Sequence, residues 1–284
     1  MLDIILENAA GDQLTFAQGS PFSIVDIEGL NPPTATINTS QLALMDGAKF
    51  VSSKMNVRTI KIAFAIEYEA AKNRIEIYKV LKSKQWIKLY YNGQYRQVFI
   101  EGYIQSIDIS YFAMKQIVTC SILCPSPYFM QAKEIVNELR KIVSAFTFPF
   151  ASTEEPELVF SYISNDTGIT IENYGDVECG MIIEMLATDS ITNPKVINYV
   201  TGEFFKVEVT MAAGDQIIID TRPENMTATM IHNGVSSNVF NKVTIGSTWL
   251  QLSPFGDTFV YEVGTGNTAN LDVVFKHYNL YEGV

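Results

Sequence analysis

Trp86-Ile87-Lys88-Leu89-Tyr90-Tyr91-Asn92-Gly93-Gln94-Tyr95-Arg96, running on through Gln97 to Ile104, decides the first half of the fold. Apolar and polar residues alternate on both sides of an Asn-Gly pair. Both residues of such a pair accept positive φ, which makes it the strongest short-range hairpin signal a sequence carries. Just upstream, Ala71, Ile75, Tyr78 and Leu81 recur at three- and four-residue spacing and predict an amphipathic helix over 69–82. Before it, 57–66 reads as a strand, with Ile60, Ile62 and Phe64 on one face and Lys61 on the other. After the hairpin, strands are predicted at 107–111 and 116–123, closing on Cys124-Pro125-Ser126-Pro127-Tyr128-Phe129. A helix embedded in an antiparallel meander is an α+β arrangement, with the helix covering a small barrel or sheet. The unit carries no nucleophile–base pair, metal cluster or phosphate loop, so it reads as a scaffold.

Farther out, 1–66 reads as short strands, broken by Gly29-Leu30-Asn31-Pro32-Pro33 and by the Asp46-Gly47 turn. Ile135, Leu139 and Ile142 share a helical face and predict a second helix over 131–143. Phe146-Thr147-Phe148-Pro149-Phe150 then gives way to the polar Ser152-Thr153-Glu154-Glu155-Pro156-Glu157, and this shift places a domain boundary near residue 145. The expected domains are 1–145 and 146–284. The second holds about ten short stretches of strand character separated by turns such as Thr201-Gly202, Gly214-Asp215 and Asn233-Gly234. That spacing, without a helical period, indicates a two-sheet sandwich or jelly roll. The predicted fold class is therefore mainly β with some α.

At 284 residues, 47% hydrophobic and 18% charged, the chain is long enough for two globular domains. No apolar run reaches the roughly 18 residues of a membrane helix. The acidic, strand-like Met1-Leu2-Asp3-Ile4-Ile5-Leu6-Glu7 does not read as a secretory signal, so synthesis and folding in a cytoplasm are expected, without membrane insertion. Charge divides unevenly: residues 1–135 carry 13 Lys+Arg against 12 Asp+Glu, net +1, and residues 136–284 carry 7 against 19, net −12. Such acidity argues against sequence-specific nucleic-acid binding, which needs a basic surface.

Cys120 and Cys124 lie four apart on one predicted strand, about 13 Å apart at the usual rise. A disulfide spans at most about 7 Å between Cα atoms. Cys179 is left single, and His232 and His277 sit far from the cysteines in sequence, so neither a metal site nor a cofactor is expected. Asp215 with Asp220, and Asp176 with Glu178, are the acidic pairs; turn chemistry accounts for Asp176 and Asp215 without catalysis. The hairpin tip gathers Tyr90, Tyr91, Tyr95 and Arg96. These residue types are favoured at interface hot spots and also in cross-strand pairs within one sheet.

In combination these pieces resemble the distal tail protein family of long-tailed phages, also called the siphovirus tail component family. In the N-terminal half the resemblance rests on Asp46-Gly47-Ala48, Asn56-Val57-Arg58, Ile77-Tyr78-Lys79-Val80-Leu81, Asn92-Gly93, and the strand into Cys124-Pro125-Ser126-Pro127-Tyr128-Phe129. In the C-terminal half it rests on Ile171-Glu172-Asn173-Tyr174-Gly175-Asp176, Val200-Thr201-Gly202, Ala213-Gly214-Asp215-Gln216, Ile219-Asp220-Thr221, Trp249-Leu250-Gln251-Leu252 and the closing Tyr281-Glu282-Gly283-Val284. One departure is Pro254-Phe255-Gly256-Asp257, where the family prefers a Pro-Gly-x-Asn turn; Asp tolerates the same geometry.

The resemblance implies a structural protein of a phage or phage-like tail tip or baseplate, in the virion. The N-terminal domain would be split-barrel-like and ring-forming, in a homohexamer around the DNA exit channel. The C-terminal domain would be a galectin-like sandwich at the periphery. Implied partners are the chain itself, the tail tube protein, a tail-tip or baseplate hub protein and a receptor-binding protein. The same resemblance raises a carbohydrate-binding alternative, in which Trp249 would stack a sugar ring beside His232 and Asn233. An enzyme of glycan or peptidoglycan hydrolysis has only scattered carboxylates in its favour.

Overall fold

A computed structural model describes residues 3–41, 46–139, 142–144, 161–163 and 168–284. Its chain divides into two units, 1–133 with 280–284, and 134–279. The boundary expected near residue 145 lies outside the described residues.

The first unit is built on β1 (Asp3–Asn8), β2 (Gln13–Phe16), β3 (Phe22–Glu28), β4 (Ala35–Ser40), β5 (Lys49–Met55), β6 (Arg58–Ile66), α1 (Ala70–Val80), β7 (Trp86–Asn92), β8 (Gln97–Ile109), β9 (Gln116–Cys124) and β10 (Phe129–Gln131). The main antiparallel sheet runs β2-β1-β7-β8-β9-β6-β3. Strict alternation in β6, where Ile60, Ile62 and Phe64 are fully buried, sends one face of the sheet into a common core with Ile4, Leu6, Ile87, Leu89, Val118 and Ile122. The two outermost strands, β2 and β3, meet through side chains: Phe16, Phe22 and Phe64 pack with ring centroids 4.9–6.1 Å apart. Mainly β structure with one α-helix among the described residues matches the expected class.

Four local expectations are corrected. The helix turns a different face inward: Asn73, Ile77 and Val80 are buried, while Ile75 is 59% and Tyr78 41% exposed. Two apolar stripes run along α1, and packing against the sheet chose the one that periodicity did not single out. The β7–β8 connection takes four residues, with Asn92 paired to Gln97 and the Gly93 N–H donating to the Arg96 carbonyl at 2.9 Å. Gly93 is not among the positive-φ residues; the two-residue turn with both residues at positive φ occurs at Asn233 (φ 49°) and Gly234 (φ 77°). Ile135–Glu138 is a strand, paired with Leu271–His277, where a helix over 131–143 was expected. A sheet edge in need of a partner outweighed the helical spacing of its apolar residues.

β8 runs unbroken for 13 residues, with a register shift between Ile104 and Ser106, in place of the two predicted strands. Gly102 makes this close packing possible: a Cβ there would lie 2.7 Å from the Leu123 carbonyl oxygen and 2.9 Å from the Cys124 sulfur.

The second unit holds a sheet in which Ile135–Glu138, Leu271–His277, Cys179–Ala187, Gln216–Asp220, Thr227–His232 and Val235–Asn238 follow one another, all antiparallel. A four-stranded sheet contains Gly168–Ile171, Asp257–Glu262, Lys195–Asn198 and Phe204–Lys206. Phe259 of the second sheet and Phe275 of the first stand 5.2 Å apart, both fully buried. Alternating burial along Leu271–His277 completes the signature of a sandwich core.

Candidate functional site

Arg58 opens β6 and is almost wholly buried. A buried guanidinium needs acceptors for its rigid fork of donors. It donates to four backbone carbonyls: Pro127 at 2.7 Å, Asn31 at 2.8 Å, and Gly29 and Glu282 at 2.5 Å each. Its face lies 4.6 Å from the centroid of Phe129. Burial lowers its pKa, with Cys124 and Glu282 acting in the opposite sense. Leu280–Tyr281 pairs with β10, which itself extends β8 through Met130 opposite Phe99. Val284 donates its N–H to the Leu30 carbonyl. The last five residues are thereby stitched into the first unit.

The hairpin-tip residues divide between this anchor and the solvent. Arg96 lies 4.4 Å over the ring of Tyr281 and donates to the Gly283 carbonyl. Tyr91 packs on the first unit's core. Tyr90 sits 6.1 Å from Phe99, and burial, followed by Glu7, raises its phenol pKa. Tyr95 alone of the four stands clear, at 92% exposure.

Sequence reasoning passed over two further features. β4 and β5 form a two-stranded sheet of their own, with Ile37, Phe50 and Val51 exposed. The signal was present in the alternating Ala35-Thr36-Ile37-Asn38 but was masked by its Ser/Thr content. Between β2 and β3 lies a cleft of about 590 Å³, with Phe16, Phe22, Ile24 and Ile27 among its lining and Glu67 at its rim. Glu67 is held below the usual carboxylate range, first by its bond to Lys115 and then by Ser23.

In the second unit His232 and Asn233 come together, and Trp249 joins a different group. The His232 Nδ1–H donates to buried Asp215 at 2.7 Å, and its Nε2 lies 3.0 Å from the Asn233 amide. Asp215 also accepts the Ala212 N–H at 2.8 Å, and Asp220 is held by Arg222 at 2.6 Å, so both carboxylates are engaged in local structure. Trp249 is half-buried, 5.1 Å from Phe205 and stacked at 6.0 Å and 7° on Phe240. Phe240 thus covers one face of the indole that a sugar ring would need.

Cys120, Cys124 and Cys179 are buried free thiols, each pushed up to about 12 by burial. Among the described residues no cluster of three or more His, Cys, Asp or Glu is placed to hold a metal, and no helix there is long and apolar enough to cross a membrane.

Two family models match this chain. One, described as a phage tail protein RIFT-related domain, covers residues 10–124. The other, described as a siphovirus-type tail component, C-terminal domain, covers residues 174–277. No curated protein sequence matches. Among solved structures, the Dit protein of phage SPP1, titled a paradigm of hub adsorption apparatus in phages infecting Gram-positive hosts, superposes with a TM-score of 0.68 at 13% identity; the match covers 97% of this chain and 98% of that one. A chain of the phage P2 baseplate in its activated, calcium-containing conformation gives 0.51 at 12% identity, over 97% and 98%. The strontium form of that baseplate gives 0.50 at 12% identity over the same shares. With one tail-component model on each unit, in the expected order, the chain belongs to the distal tail protein family of long-tailed phages and is a structural component of the phage tail tip.

Proposed function

We propose that this chain forms a ring, a homohexamer by the family resemblance, that joins the tail tube to the baseplate or hub and surrounds the DNA exit channel. The observation that carries this reading is the match of both units, in one chain, to tail-component models, together with a shared fold over 97% of its length with the SPP1 hub protein. In this reading the first unit builds the ring, and Tyr95 at the β7–β8 tip is one of its contacts. The acidic second unit sits at the periphery, available to a receptor-binding protein. The chain works by assembly without catalytic turnover, in the virion, after synthesis in the host cytoplasm. The carbohydrate alternative loses support from Trp249, whose ring is stacked on Phe240.

Light scattering over a concentration series, with negative-stain images of any large species, tests the ring. Discrete particles near six subunits with a central hole are expected. A chain that stays monomeric, and remains so when mixed with its tail tube protein, overturns the ring.

A further inference from the structure

The Asn233-Gly234 turn joins Thr227–His232 to Val235–Asn238 and closes with His232 opposite Val235. A His–Asp pair stands against its amide. The His232 Nδ1–H donates to the buried carboxylate of Asp215 at 2.7 Å, and the other ring nitrogen, Nε2, lies 3.0 Å from the Asn233 amide nitrogen. Asp215 is itself held by the Ala212 N–H at 2.8 Å, so the tautomer and the direction of the imidazole are set from behind.

An asparagine followed by glycine carries its own nucleophile, because the next backbone nitrogen can close on the side-chain carbonyl carbon when nothing crowds or occupies it. A Cβ at Gly234 would meet nothing within 4 Å, and among the described residues its N–H makes no backbone hydrogen bond. Asn92-Gly93 is the contrasting case in the same chain. There the Gly93 N–H is committed to the Arg96 carbonyl at 2.9 Å, and Asn92 is paired with Gln97 in the sheet. Ring closure requires Asn233 to rotate away from its φ of 49°. The strand after the turn, Val235–Asn238, is outermost in its sheet and all four of its residues are exposed, so the turn opens at little cost.

We propose that Asn233 is a self-modifying site, deamidated by its own chain with the His232–Asp215 pair supplying the proton. The Gly234 nitrogen bonds to Asn233 Cγ and releases its proton to solvent. The amide nitrogen on the resulting tetrahedral carbon takes a proton from protonated His232 Nε2, the Cγ–Nδ2 bond breaks, and ammonia leaves. Water returns the proton to the imidazole, whose charged form the Asp215 carboxylate stabilises. A second water opens the succinimide at either carbonyl and leaves aspartate or isoaspartate, so the sum is amide plus water to acid plus ammonia. Either product places a carboxylate beside His232, and isoaspartate lengthens the turn by one backbone atom and loosens the edge strand behind it. The chemistry does not depend on the ring reading.

Ageing the full chain at neutral pH, with peptide mapping by mass spectrometry and enzymatic methylation of isoaspartate, tests it. Asn233 is expected to convert at least about tenfold faster than Asn92 in the same sample, the low side of what a positioned proton donor contributes. His232→Gln should slow Asn233 by a similar factor, leave Asn92 unchanged and keep the melting temperature, since the ring is exposed. Free imidazole in the buffer should restore part of the rate to His232→Ala. Asp215→Asn should also slow conversion, and the imidazole nitrogen shifts of His232 in NMR should report loss of the Nδ1–H tautomer. An Asn233 that keeps its amide while Asn92 converts overturns the proposal. So does conversion of Asn233 at the native rate in His232→Gln.

Discussion

The guanidinium of Arg58 meets four carbonyls from three separated stretches of chain, 29–31, 127 and 282, and so ties the β3–β4 connection, the β9–β10 connection and the 280–284 segment together at one point. Arg58→Met should cost on the order of 3–5 kcal/mol by stranding buried carbonyls. Arg58→Lys should recover only part of this, because an ammonium cannot reproduce the planar fork; denaturant unfolding of the three chains measures both. His277 is the second informative residue. Burial holds its imidazole below the usual 6.5, against opposing contributions from the Glu172 backbone and Asn279. The unfolded chain therefore binds that proton more readily than the folded one. Stability is full above about pH 6.5 and falls as pH drops from there toward the lowered folded value. His277→Gln should flatten that slope, read as melting temperature between pH 7 and 5.5. Neither role could be read from sequence: Arg58 sat inside a recognised motif without any sign of what it would hold.

Among the elements, α1 shows how far periodicity reaches. Its existence and near-correct span were legible, but Ile75 and Tyr78 compete with Ile77 and Val80 for the inner face, and only the sheet decides. Ile77→Ala should cost about 2–5 kcal/mol through the cavity it leaves, whereas Ile75→Ser should stay within about 0.5 kcal/mol; thermal unfolding separates them. The two Asn-Gly pairs teach the same lesson. At 233–234 the strands close directly and the dipeptide takes its favoured turn. At 92–93 the chain runs on to Arg96, which is committed to Tyr281 and Gly283, and the turn moves with it. Local chemistry wins where nothing distant has a claim on the loop.

For the whole molecule, the family and the order of its two halves were legible because many weak motifs fell in sequence. The candidate site was much less so: of the four hairpin-tip residues singled out in the sequence only Tyr95 is exposed, and the separate β4–β5 hairpin and the β2–β3 cleft depend on long-range strand pairing. The return of 280–284 was invisible for the same reason, since its partner β10 lies some 150 residues earlier. Deleting 280–284 should destabilise the first unit, removing the β10 pairing and one acceptor each from Arg58 and Arg96. Unfolding followed by fluorescence of Trp86, which lies in the first unit, would register the loss, with Trp249 replaced by Phe.

That return strand also sets a schedule for the ribosome. Residues through 133 emerge first, yet the sheet they build lacks its last partner until residue 281 has been made. At about 5–20 residues per second this is a wait of roughly 7–30 s, during which β10 offers an open edge. A nascent chain that has not yet reached residue 281 therefore carries an unfinished first unit, with β10 still lacking one of its partners.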